Sequence, residues 1–343
     1  MLAAMSDSTP PSRLIRVGKS FQLRFTADGD HVIAVGRDIV VWSLRERQRV
    51  GSIRPFAHPA YLDISPCGDR VVVKNTAGRL AILSAAHLEL IALFPADQTS
   101  EGCQPLFSPC GTRIVDGSGD GALRVLDGET GEVVHQELSA GVMINALACD
   151  ARRSLYSYVK QRKCKDRDSA LPFSQIMLRR WPFEDHSELE LPVGAGYVNA
   201  ATPSPDGSRL AVIQMNTASE MSLQVVDLST GRCCGRRSIL FGGTAWSLGW
   251  SPDGTRLCCV ERGQLSVFDS SSLRLVGRYI DPYPCSVEFS SDGGKIAIGS
   301  WEKGTILGTD QIEAIPQEVI AMDRTSLTRT APPHSPTPTP TGS

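Results

Sequence analysis

Residues 160–174 read Lys-Gln-Arg-Lys-Cys-Lys-Asp-Arg-Asp-Ser-Ala-Leu-Pro-Phe-Ser. Lys160, Arg162, Lys163, Lys165 and Arg167 stand there against Asp166 and Asp168. Cations at that density do one kind of chemistry: they steer an acidic partner into contact. The alternative is a solvated loop whose charges only keep it soluble, and the residues leave both readings open. Bond-making chemistry has no comparable foothold. HExxH, P-loop and GxSxG patterns are absent. His31, His58, His87, His135, His186 and His334 are scattered with no close pair, and the ten cysteines form no CxxC. No catalytic residue, cofactor or metal ligand is therefore assigned. Cys258 and Cys259 sit in an apolar run, where a thiol acts as a small hydrophobe. All ten are expected as free thiols.

What must position the basic stretch is a repeat. Residues 102–138 divide into four short strands with three turns. Ser108-Pro109-Cys110-Gly111 places Pro and Gly where a type I turn favours them. The loop Asp116-Gly117-Ser118-Gly119-Asp120-Gly121 and the turn Asp127-Gly128-Glu129-Thr130-Gly131 follow. The first turn recurs as Thr-Ala-Asp-Gly29, Ser-Pro-Cys-Gly68, Ser-Pro-Cys-Gly111, an eroded Cys-Asp-Ala-Arg152, Ser-Pro-Asp-Gly207, Ser-Pro-Asp-Gly254 and Ser-Ser-Asp-Gly293. Seven markers predict seven units. Continuous apolar runs follow most of them, at 32–35, 71–73, 210–213, 257–260 and 296–298. Such runs fit strands covered on both faces.

The Ser-Pro-x-Gly turn, the Gly-Ser-Gly-Asp-Gly turn, the strand end Leu-Arg-Val-Leu-Asp127 and Thr130-Gly131 together resemble a WD40-type repeat. The resemblance implies an all-β, seven-bladed WD40-like β-propeller over residues 13–322, preceded by a flexible 1–12. The Gly-His pair of the family is missing throughout, so its hydrogen-bond tetrad is lost and packing must hold the blades. Residues 14–17 are expected to close the ring as the outer strand of the last blade, with 312–322 as the competing donor. Residues 323–343, rich in Pro, Thr and Ser, read as a disordered C-terminal tail, solvated or serving as a Pro-rich ligand.

The family arrangement puts the 160–174 stretch between the second and third strands of the fourth blade, on the face of the inter-blade connections. That face commonly takes partners in the family. The same face is expected to carry Phe56, Tyr61, Tyr197, Trp246, Tyr283 and Trp301, with Tyr197, Trp246 and Tyr283 forming a groove over blades five to seven. Packing between blades is the other role open to these rings, while Trp250 takes a core position. Arg45, Arg47, Arg49, Arg232, Arg236 and Arg237 are placed in connections on the opposite face.

The formal charge of −2 argues against nucleic acid as a partner. No run approaches a membrane span, and residues 1–14 lack the apolar core of a signal peptide, so a cytoplasmic protein is expected. The resemblance implies a non-enzymatic scaffold or adaptor, a monomeric propeller inside a hetero-complex, binding a protein or peptide of acidic character. Two other readings are an enzymatic propeller of lactonase or hydrolase type with a metal in the central channel, and a periplasmic propeller of the TolB type.

Overall fold

The computed structural model describes residues 14–94, 102–162, 174–183, 189–191, 196–240 and 247–314. They form seven antiparallel sheets arranged as the blades of a β-propeller. Each blade runs from an inner strand outward. Blade two is Pro59–Ile64, Arg70–Asn75, Leu80–Ser84 and Leu90–Phe94. Blade three is Leu106–Phe107, Arg113–Gly117, Ala122–Asp127 and Val133–Leu138, close to the strands expected from its turns.

The ring closes through the N-terminus. Ile15–Arg16 pairs antiparallel with Thr305–Gly308, as the outer strand of blade seven. The competing C-terminal segment goes elsewhere: Glu313–Ala314 pairs with Leu275–Ile280 and gives blade six a fifth strand.

Packing holds the ring as the missing tetrad demands. Seven apolar clusters occur, one at each junction between neighbouring blades. Second strands serve two junctions at once, because successive side chains point to opposite faces. Val71 and Val73 pack toward blade one with Ile33 and Val35, and Val72 packs toward blade three with Phe107 and Ile114. Burying each such side chain contributes roughly 1.5–3 kcal/mol. This two-sided burial explains why the runs are continuous and not alternating.

The recurring turn has a common hydrogen bond. The side-chain oxygen of Ser65, Ser108, Ser204, Ser251 and Ser290 accepts the amide five residues on, at 3.0, 3.1, 2.9, 2.9 and 2.8 Å. Blade four departs from the expected alignment by one residue. Asp150, and not Cys149, does the serine's work, accepting from Leu155 N at 3.1 Å and Ser154 N at 2.7 Å. Arg153, and not Arg152, takes the place of the glycine, with φ of 56°. Asp127, Asp227 and Asp269 act as turn formers. Each accepts the amide three residues on, from Thr130, Thr230 and Ser272 at 3.0, 2.8 and 2.8 Å.

Candidate functional site

Backbone hydrogen bonds define the two faces of the ring. On one, the upper face, the turns between second and third strands meet the inter-blade connections: Thr76 N donates to His58 O, Ser139 N to Gly121 O, Asp281 N to Gly263 O and Trp301 N to Tyr283 O. On the lower face the first turns meet the connections to the outer strands, as in Ala85 N to Asp69 O and Ser270 N to Thr255 O.

The upper face carries an exposed aromatic patch at the junction of blades seven and one. Trp301 and Tyr283 are the two most exposed aromatic side chains of the described residues, at 47 % and 55 %. Trp301 follows the strand Lys295–Ser300 and Tyr283 precedes Pro284–Phe289, both of blade seven. Phe21, from the connection into blade one, lies against Trp301 with centroids 4.5 Å apart and a 54° tilt. Lys19 Nζ stands 5.6 Å from the Phe21 centroid and 5.5 Å from that of Trp301, within cation–π range.

Rigid backbone supports these rings. Asp281 is buried, and its Oδ1 accepts from Tyr283 N and from Ser300 Oγ, both at 3.0 Å. One carboxylate thus fixes the bends that present both rings. Ser300 N donates to Ser20 O at 2.7 Å, tying Trp301 to the Lys19–Phe21 segment. Gly299 permits that approach, since a Cβ there would lie 2.2 Å from Phe21 O. The result is a pair of packed rings, Phe21 and Trp301, with Lys19 at their edge and Tyr283 joined to them through the backbone.

The other expected residues are distributed differently. Lys160 and Arg162 belong to the strand Leu155–Arg162, and Ser174 begins Ser174–Arg180, so both ends of the 160–174 stretch are strand, while 163–173 lie outside the described residues. The register pairs Lys160 with Gln175 and runs on to Gln161 and Ser174, as far as the equivalent hairpin of blade five. Lys160 Nζ lies 5.8 Å from the Tyr158 ring, and Arg162 ends the strand exposed. Tyr197 opens the inner strand of blade five, Tyr197–Pro203, half-buried. Ser174 Oγ accepts from Val198 N at 3.2 Å, holding that strand to blade four. Lys163, Lys165, Arg167 and Trp246 lie outside the described residues.

The structure therefore brings Tyr283 and Trp301 together on blade seven and Lys160, Arg162 and Tyr197 onto blades four and five. Phe56 is buried in the cluster between blades one and two and is a core residue, as is Trp250, whose Nε1 donates to Thr202 O at 3.0 Å. Arg49, Arg236 and Arg237 sit within outer strands and not in connections. Lys19, Phe21 and Asp281 were missed by sequence reasoning. Treating 17–21 as an inter-blade connection, like 281–283, was the available signal.

The channel is crossed by charge near its lower mouth. Inner strands present an unpaired edge to it, and side chains from neighbouring blades satisfy that edge. Glu288 accepts from Phe25 N at 3.3 Å, Gln22 from Leu62 N at 2.8 Å and Asp63 from Phe107 N at 2.8 Å. Arg24 pairs with Glu288, joining blades one and seven. Arg153 reaches from blade four to Asp63 in blade two, at 2.7 and 3.0 Å. Burial pushes the Glu288 carboxyl up, and Arg24 pulls it back. Among the described residues no group of three or more His, Cys, Asp or Glu side chains gathers as a metal site.

One lower-face turn holds a thiol of unusual acidity. The third position of the turn is Asp206, Asp253 and Asp292 in the last three blades, each accepting a serine hydroxyl at 2.5 or 2.6 Å. Blade three places Cys110 in the same cradle, its Sγ 3.2 Å from Ser108 Oγ and 3.0 Å from Thr112 Oγ1. Partial burial opposes ionisation there, yet the two hydroxyls bring the thiol down to about 7.

Fold and contacts together define a seven-bladed β-propeller with a charge-crossed channel and an aromatic patch on its upper face. No protein-family model matches the chain, and no curated protein matches it. Among solved structures, a chain of Kuenenia stuttgartiensis hydrazine synthase is similar with a TM-score of 0.70 at 14 % identity, over 89 % of this chain and 99 % of that one. At that identity the likeness concerns the propeller fold alone.

Proposed function

We propose that this chain is a non-enzymatic interaction platform of WD40 type, a cytoplasmic scaffold or adaptor subunit, and that it takes a protein or peptide partner on its upper face. The observation that carries this reading is the Tyr283–Trp301 patch, two exposed rings on backbone fixed by Asp281. Aromatic side chains on rigid supports offer large contact area at low entropic cost, and binding energy concentrates on such anchors. Lys160, Arg162 and the basic residues after them supply long-range attraction for an acidic partner from the blade-four side. The test compares partner capture by the full chain with capture by Trp301→Ala and Tyr283→Ala. The reading requires loss of capture with unchanged thermal unfolding; undiminished capture by both variants overturns it.

A further inference from the structure

We propose that the outer edge of blade two, the strand Leu90–Phe94, is a further docking surface that takes an extended apolar segment of a partner protein as an added β-strand. Blade one separates this edge from the Tyr283–Trp301 patch of blade seven, and the proposal stands independently of the function proposed for that patch.

Backbone chemistry selects a strand. Among the described residues Leu90–Phe94 ends its sheet, paired with Leu80–Ser84 on one side and with nothing on the other. Such an edge presents a row of peptide N–H and C=O groups at the spacing of extended chain, and another strand matches that row. Proteins ordinarily blunt an exposed edge with charge. The other outer strands each contain a charged residue: Arg49 in blade one, then Glu137, Glu190, Arg236, Arg278 and Arg16 in blades three to seven. Leu90-Ile91-Ala92-Leu93-Phe94 contains neither a charged nor a polar side chain. Ala92 and Phe94 pack into the cluster shared with blade three and anchor the strand, while Leu90, Ile91 and Leu93 are 47 %, 52 % and 40 % exposed.

The chain itself shows how an outer edge of this ring is filled. On blade six Glu313–Ala314 adds a fifth strand to Leu275–Ile280, with Glu313 directly opposite Arg278. The added strand there sets a carboxylate against a cation. On blade two the residues to be matched are apolar, and aliphatic or aromatic cross-strand neighbours stabilise such an edge. The partner segment is therefore extended and uncharged over the five residues of the edge. A second copy of this chain is the poorer occupant. Two rings meeting here touch at a tangent along a strand roughly 17 Å long, burying on the order of 300 Å² per ring. A stable interface between folded partners takes about 800 Å² from each. A single extended segment draws its affinity from main-chain hydrogen bonds and alternate side chains, and needs no such area.

Hydrogen–deuterium exchange in the full chain tests this. The probe is the blocked peptide acetyl-Lys-Lys-Val-Ile-Ala-Leu-Val-Lys-Lys-amide, an apolar core of strand-forming residues made soluble by its ends. Its counterpart has every backbone amide of the core N-methylated and donates no hydrogen bond to an edge. At about 1 mM the first peptide should slow exchange of Leu90–Phe94 about tenfold, and the methylated one should not. Ile91→Lys should weaken peptide binding about tenfold, because it blunts this edge as the other blades are blunted. Leu93→Lys is a second variant at an exposed site, and both should keep the parental melting temperature. No slowing at Leu90–Phe94, equal slowing by the methylated peptide, or undiminished binding by folded lysine variants overturns the proposal. Slowing at this strand without peptide, rising with protein concentration alongside a dimer in sedimentation, overturns it in favour of a second copy.

Discussion

Arg153 lays its guanidinium on Asp63 with two hydrogen bonds, 2.7 Å from Nη1 to Oδ2 and 3.0 Å from Nη2 to Oδ1. The pair joins residues of blades four and two across blade three. Arg153 also donates to Phe107 O at 3.0 Å and Ile64 O at 3.1 Å, so one side chain ties three blades. It does so from a left-handed backbone position that the equivalent turns give to glycine. Asp63 is 6 % and Arg153 18 % exposed, so removing one partner leaves an uncompensated charge in a poorly solvated place. Arg153→Ala should cost about 3 kcal/mol by urea unfolding. Arg153→Gly should cost about 1 kcal/mol less, because glycine adopts the positive φ without strain.

The Cys110 cradle predicts thiol reactivity. Its iodoacetamide alkylation rate should reach half its maximum near pH 7, about where the thiol titrates. Cys67, in the matching turn of blade two, donates instead to Asp69 Oδ1 at 2.8 Å. Cys110→Asp should fold and abolish the early-titrating reactivity, since the last three blades hold aspartate in the same cradle.

Acid should destabilise the ring in a definable window. The Ser204 hydroxyl, with the amide and hydroxyl of Ser208, brings Asp206 down to about 2, and the hydroxyls of Ser272 and Ser271 bring Asp269 to about 2. A carboxyl lowered in the folded state contributes stability that is complete above its unfolded value, about 4, and is lost as pH falls through the folded value. The melting temperature should be flat above about pH 5 and fall between about pH 4 and 2. Asp206→Asn with Asp269→Asn should give a shallower fall; an unchanged slope would mean other groups govern acid unfolding.

The architecture was legible because turn chemistry repeats. Ser-Pro-x-Gly is read locally, and its hydroxyl-to-amide bond recurs wherever the motif does. Blade four slipped by one residue because Asp150 can replace the serine and Arg153 can occupy the glycine position, which composition alone does not reveal. The closing strand was legible from its place before the first marker. The patch was legible only in part. Tyr283 and Trp301 stand in recognisable connections, but Phe21 joins them only once the ring closes and brings residues 20 and 300 together. The single carboxylate of Asp281 beneath both rings follows from bends no spacing rule predicts.

Deleting residues 163–167, beyond the strand end at Arg162, should leave thermal unfolding within about 1 °C, since the hairpin of blade four is complete without them. The association rate with an acidic partner should fall, more at low salt than at high, because screening already suppresses steering at high salt. A sharp drop in melting temperature would make the loop structural.

The most direct measurement is the affinity of a partner, captured from the native host's extract and purified, for the full chain and for Trp301→Ala by calorimetry. If the patch is the anchor of the upper face, Trp301→Ala weakens binding by about 2 kcal/mol or more, roughly thirtyfold, while its melting temperature stays that of the parent. Equal affinity for both chains would contradict the account, and place the binding surface away from the junction of blades seven and one.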